Sequence, residues 1–101
     1  MELIMTAGMI SAEKAAALGL VNYVTTLEEL MPLVEKLAGK IMRNSSVAIS
    51  AAIKAVNANF EDGVDGFEVE ISGFGNCFGT EDFREGTTAF LEKRKANFPG
   101  R

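Results

Sequence analysis

The chain has 101 residues, 48% of them hydrophobic, with no histidine, no tryptophan, one cysteine and a formal net charge of −4. That length makes one domain or part of one, and the absence of histidine removes Ser–His and Cys–His nucleophile systems and the usual zinc sites. No run of about 18 apolar residues offers a membrane span, no basic-then-apolar start marks a secretory signal, and the lone Cys77 fits a reducing compartment, so the expected location is the cytoplasm.

Charge is unevenly spread. Residues 1–60 carry five acids and five bases, and residues 61–85 carry eight acids against Arg84 alone. The last ten residues turn positive, through Lys93, Arg94, Lys95 and Arg101. An acidic belt repels a phosphate backbone, so nucleic acid is not an expected partner. A small ligand carrying a few phosphates could still use the basic end.

In chain order, Leu3-Ile4-Met5 is an apolar run too short to assign by period. Ser11 is placed to cap a short helix through Leu18, and Gly19 stands where a left-handed C-terminal cap is expected. Leu20–Val24 reads as extended, a connector or an edge strand. Thr26 and Glu29 form a capping-box pair that starts the next helix. Leu27, Leu30, Met31, Val34, Leu37, Ala38 and Ile41 give it one apolar face to about Arg43, where Asn44-Ser45 breaks it. Pro32 implies either a distorted first turn or a restart of the helix near Pro32.

From Ser46 to Phe60 apolar residues almost encircle the predicted helix, leaving a polar stripe of Ser50, Lys54, Asn57 and Glu61. So narrow a wet face predicts cover on several sides, from this domain or from another chain. The next stretch has two periods. Phe67-Glu-Val-Glu-Ile71 alternates like a strand between Gly66 and Gly73, whereas Val64, Phe67, Ile71, Phe74 and Phe78 share a helical face. Thr80 then caps a last helix whose first turn holds Glu81 and Asp82.

No acid pair, phosphate loop or metal-ligand spacing emerges, so catalytic and metal-ligating residues are expected to be absent from this chain. Cys77, between Phe74 and Phe78, reads as a small core residue. One pair invites a ligand. On a continuous helix Phe90 and Lys93 lie three residues apart on one face, an aromatic plane beside an ammonium, suited to a nucleotide base carrying phosphate. The other reading is a core phenylalanine and a C-terminal Lys/Arg cluster that complements the helix dipole.

Two stretches carry a resemblance. Thr6–Asn22, TAGMISAEKAAALGLVN, resembles the crotonase-family segment T-G-x-x-I-x-A-x-x-A-x-x-x-G-L-V-N. Phe74–Asp82, FGNCFGTED, followed by Thr88–Lys95, TAFLEKRK, is similar to the C-terminus of short-chain enoyl-CoA hydratases and 3-hydroxybutyryl-CoA dehydratases. The resemblance implies an all-α chain of about four to five helices over residues 1–101, the C-terminal helical and oligomerisation region of the crotonase ClpP-like fold, without its ββα spiral core. It makes Gly63–Phe78 a helix.

For function, the resemblance implies an enzyme of fatty acid metabolism that adds water to a trans-2-enoyl-CoA, giving the 3-hydroxyacyl-CoA, with no metal or organic cofactor. The family's catalytic glutamates and oxyanion-hole amides lie in the spiral core, and no acid here inherits their role. The resemblance assigns Phe90 and Lys93 to the ADP end of coenzyme A, and implies a homo-oligomer, a trimer or dimer of trimers. An isomerase or another acyl-CoA lyase is the alternative within the family. A stand-alone, non-catalytic helical oligomerisation or binding module is the alternative outside it.

Overall fold

A computed structural model describes all residues, Met1–Arg101. It is all-helical, as expected. Six helices follow in order: α1 (Glu2–Thr6), α2 (Ala12–Ala17), α3 (Leu27–Ile41), α4 (Ser46–Ala58), α5 (Gly66–Cys77) and α6 (Glu81–Leu91). The helix beyond the expected number is α1, formed by the apolar run that was too short to classify. The chain divides into two compact units, Met1–Glu35 and Lys36–Arg101.

In the first unit, Ser11 caps α2 by accepting from the Lys14 amide at 3.2 Å. Helix α2 closes through a two-bond C-terminal motif, Gly19 N–H to the Ala16 carbonyl and Leu20 N–H to the Ala15 carbonyl. Gly19 takes φ +72°, the left-handed conformation that a side chain disfavours. Leu20–Val24 forms no strand. Thr26 accepts from the Glu29 amide at 3.3 Å and starts α3. Pro32 lies inside α3 without ending it. Its missing N–H leaves one helical bond unmade, a loss that an exposed helix meets with water.

The second unit begins in α3. The side-chain amide of Asn44 donates to the Lys40 and Ile41 carbonyls and satisfies the end of the helix. Ser45 caps α4 by accepting from the Ala48 amide at 3.1 Å, and Asp65 caps α5 by accepting from the Phe67 and Glu68 amides. Both caps meet orphan amides that otherwise weaken a helix start by about 1 kcal/mol.

Helices α4 and α5 form the one extensive helix–helix contact of the chain. Its seam is made of small residues. Ala51, Ala55 and Ala58 of α4 and Gly66, Val69, Gly73 and Cys77 of α5 are shielded, as are Val47 and Ile49 nearer the start of α4. A Cβ on Gly66 would meet the Asn59 Cα at 3.3 Å, so the backbone after α4 approaches closely here and a side chain would have to push it back by a few tenths of an ångström. This decides between the two periods in 66–78. Gly66 and Gly73 do not bracket a strand; they line the inner face of a helix. The large residues Phe67, Ile71, Phe74 and Phe78 share the outer face and are exposed. Cys77 sits in the seam, as a small packed residue should.

Candidate functional site

The basic end is built on α6. Thr80 caps the helix by accepting from the Phe83 amide at 3.1 Å, and its hydroxyl donates to the Cys77 carbonyl at 2.7 Å, tying α6 to the end of α5. Asp82 and Ala89 are buried and Glu85 and Gly86 half-buried, so the inner face of α6 runs through positions 82, 85, 86 and 89. Phe90 and Leu91 stand outside, 82% and 79% exposed. Within these 101 residues Phe90 is not a core residue.

The segment after α6 folds back over this inner face and is pinned at two carboxylates. Asp82 accepts from the Ser45 hydroxyl and from the Gly100 amide at 2.7 Å, while its own amide donates to the Arg101 carbonyl at 3.0 Å. Glu85 accepts a forked pair of bonds from the Arg94 guanidinium at 2.6 and 2.8 Å, and its Oε1 also accepts from the Asn97 amide at 2.6 Å. Phe98 lies over Gly86, where a Cβ would meet its ring at 3.3 Å. From the sequence Asp82 and Glu85 are both acids of the 61–85 belt, and Asp82 is also a first-turn acid that serves the helix dipole. Their real partners lie 9 to 37 positions away in sequence, beyond the reach of any local pattern.

Both carboxyls are perturbed. Burial alone raises Asp82, but the Ser45 hydroxyl and the Gly100 and Arg101 amides outweigh it and hold the group below its ordinary value. The Arg94 bonds, and then the Asn97 amide, push Glu85 from 4.5 down to about 2. Glu85 and then Glu92 raise Arg94 in turn. A carboxylate depressed in the folded state stabilises fully above its unfolded pKa, here about 4.5, and that stabilisation disappears as pH falls through the folded value near 2. Thermal melts are therefore expected to lose a few degrees between pH 4.5 and pH 2. Glu85→Gln should flatten part of that slope, the remainder belonging to Asp82, Glu13 and Glu28, whose carboxyls are also held below their ordinary values, and an unchanged slope would contradict the assignment.

The structure alters the relation between Phe90 and Lys93. Helix α6 ends at Leu91, with Glu92 as its C-cap, and does not continue to Lys95. Lys93 follows at φ +54°, in the left-handed region. Helical spacing therefore does not place the two residues on one face; the turn sets their relation. Of the three cations, Arg94 is spent on Glu85 and Glu92, whereas Lys93 and Lys95 form no ion pair. The end of α6 thus offers an exposed aromatic ring and two uncommitted ammonium groups.

Two grooves flank the α4–α5 seam. One, of about 740 Å³, is lined by polar groups including Ser46, Ser50, Lys54, Ser72 and Asn76. The other, of about 640 Å³, is walled by Val56, Phe60, Phe67 and Phe74.

Comparison with known proteins decides the family. The model of the enoyl-CoA hydratase/isomerase family matches residues 1–101. The chain belongs to the enoyl-CoA hydratase/isomerase family. It is 45% identical over 98 residues to a crotonyl-CoA hydratase of Syntrophomonas wolfei, covering 96% of this chain and 38% of the relative. It is 37% identical over 103 residues to a methylmalonyl-CoA decarboxylase of Escherichia coli, covering 98% of this chain and 39% of that protein. Among solved structures, an enoyl-CoA hydratase from Mycobacterium marinum is similar with a TM-score of 0.87 and 31% identity, over 99% of this chain and 40% of that one. This member of the enoyl-CoA hydratase/isomerase family thus spans about two fifths of the length of these relatives. All of its helices, from α1 to α6, lie within the matched residues.

Proposed function

We propose that this chain acts as the C-terminal helical region of an enoyl-CoA hydratase that adds water to a short-chain trans-2-enoyl-CoA. Its part in that enzyme is subunit assembly and contact with the ADP end of coenzyme A, through Phe90 and Lys93. The observation that carries the reading is the full-length match to hydratases of more than twice its size, joined to an exposed Phe90 and, three residues on, a Lys93 that forms no ion pair. The other readings of the reaction are isomerisation or another acyl-CoA lyase step, and the similarity to a decarboxylase keeps reaction type a matter for assay.

The chain alone is expected to leave the absorbance of crotonyl-CoA flat, because nothing in it pairs an acid and a base around a water or aims amides at an enolate. The positive test is a chimera in which this chain replaces the matching 38% of the Syntrophomonas wolfei crotonyl-CoA hydratase. Hydration of crotonyl-CoA by the chimera supports the reading. Within it, Phe90→Ala removes a stacking surface worth about 1–3 kcal/mol by analogy with base–aromatic stacking, so kcat/KM should fall about 5- to 150-fold. Lys93→Ala should lose more at low salt than at high salt. The N-acetylcysteamine thioester, which lacks the adenine and phosphates, should be nearly unaffected by either change. Equal losses on both substrates would mean that this end of α6 is only structural.

A further inference from the structure

The turn that carries Lys93 has a counterpart elsewhere in the chain. Helices α2 and α6 close with the same two hydrogen bonds. In α6 these are Lys93 N–H to the Phe90 carbonyl at 3.2 Å and Arg94 N–H to the Ala89 carbonyl at 3.0 Å. In both, the residue after the cap is left-handed. At α2 that residue is Gly19, the usual occupant, and no side chain braces it. At α6 it is a lysine, whose Cβ opposes the conformation.

What differs at α6 is a brace on both sides of the strained residue. The Arg94 guanidinium reaches back to Glu85 with two bonds at 2.6 and 2.8 Å and to Glu92 with a third at 2.7 Å. A fourth bond goes to the Lys95 carbonyl at 3.2 Å. Glu85 holds the Asn97 amide as well. Residues 92, 94 and 97 are thereby tied to the body of α6, and Lys93, between them, has no side-chain partner. A backbone flip that relaxed Lys93 to an ordinary conformation would pull Arg94 away from Glu85. Glu85 is partly shielded and Arg94 exposed, 20% and 41% accessible, and the pair is forked, a geometry that restricts both side chains.

We infer that Glu85 and Arg94 are positioning residues for Lys93: their forked pair locks the left-handed turn after α6 and so fixes where the free ammonium stands beside the exposed Phe90. The inference rests on the proposed reading of Phe90 and Lys93 as a contact for the ADP end of coenzyme A. Arg94 is not the free cation of this turn, because four of its five N–H donors already meet protein oxygens.

The test uses the 101-residue chain and adenosine 3′,5′-bisphosphate, titrated by amide chemical shift, a method that reads weak binding. Two quantities are followed: the dissociation constant, and the strong intraresidue amide–Hα Overhauser signal at Lys93 that marks a positive φ. Lys93→Ala should weaken binding about five-fold. Glu85→Gln gives a test of sign. It removes a negative charge near an anion, so charge alone would tighten binding; loss of positioning weakens it, by about three-fold, and dims the Lys93 signal. Arg94→Lys, which keeps the charge but not the fork, should likewise dim the Lys93 signal and weaken binding, and unchanged amide shifts of α4 and α5 in each variant guard against one that merely unfolds the chain.

The failures are separable. If Lys93→Ala weakens binding while Glu85→Gln leaves it equal or tighter, the positioning role is overturned and the ligand reading stands. If Glu85→Gln weakens binding with the Lys93 signal intact, the effect does not pass through the turn, and the inference is likewise overturned. If neither Phe90→Ala nor Lys93→Ala changes binding, the ligand reading falls and takes the positioning role with it.

Discussion

Asp82→Ala is expected to lower the melting temperature of the Lys36–Arg101 unit by on the order of 10 °C and to free the last residues of the chain. Asp82 is 2% exposed and Ser45 8% exposed. One carboxylate accepts from the hydroxyl that caps α4 and from the backbone amide of Gly100, so three separate segments meet at it. Alanine removes the acceptor and leaves shielded donors without partners, a larger penalty than the loss of a mean hydrogen bond. Asp82→Asn keeps one acceptor oxygen and should fall between the two. Ser45→Ala loses its cap to α4, about 1 kcal/mol, together with its bond to Asp82. The double variant should therefore cost less than the sum of the singles, as coupled neighbours do. Proteolysis supplies an independent readout, with Asp82→Ala exposing the bonds after Lys93, Arg94 and Lys95 to trypsin. An Asp82→Ala chain that melts like wild type, with Gly100 still ordered, would refute the clamp.

Where the sequence was legible and where it was not follows from the range of the interactions. The caps at Ser11, Thr26 and Thr80 and the left-handed Gly19 were legible because each is complete within four or five residues. Segment 66–78 carries two periods, and neither one reveals that its glycines face α4 while its phenylalanines face out. Hydrophobic periodicity marks the face that is meant to be covered. It does not say whether the cover comes from the same chain. At α5 the covered face is the small-residue seam, and the face with the strongest apolar signal has no cover within these 101 residues. The candidate site was half legible. Residue types and their place at the end of the chain picked out Phe90 and Lys93, but the end of α6 at Leu91 was hidden. It depends on Lys93 adopting a conformation that propensity assigns to glycine. The braces at Asp82 and Glu85 were invisible, since their partners are set by the return of the tail along α6.

The uncovered apolar surface leads to the other large effect: in solution the chain is expected to self-associate, eluting at twice its 10.8 kDa mass or more. It exposes 8623 Å², whereas a closed monomeric protein of this mass exposes about 5,500 Å². The difference exceeds the roughly 1,600 Å² of a standard protein–protein interface. Only Ala58 and Ala89 are fully buried apolar residues, and neither is large. On α5 the outward stripe Phe67, Ile71, Phe74 and Phe78 repeats at spacings of four, three and four residues, a seam that a second helix can fill. Phe78 continues it by stacking on Phe74, with ring centroids 5.0 Å apart, and on Phe83 of α6 at 4.5 Å. An apolar patch on this scale is uncommon on a monomer and marks a contact surface. Ile71→Lys, at the centre of the stripe and 64% exposed, should leave the fold of the single chain intact. It should weaken association by about ten-fold or more, as expected for a charge placed in the middle of an apolar interface. Sedimentation over a hundred-fold range of concentration, with and without the substitution, checks both statements. A wild-type chain that sediments as a monodisperse monomer and melts cooperatively would show that the stripe tolerates water, and assembly would then have to be sought on another face.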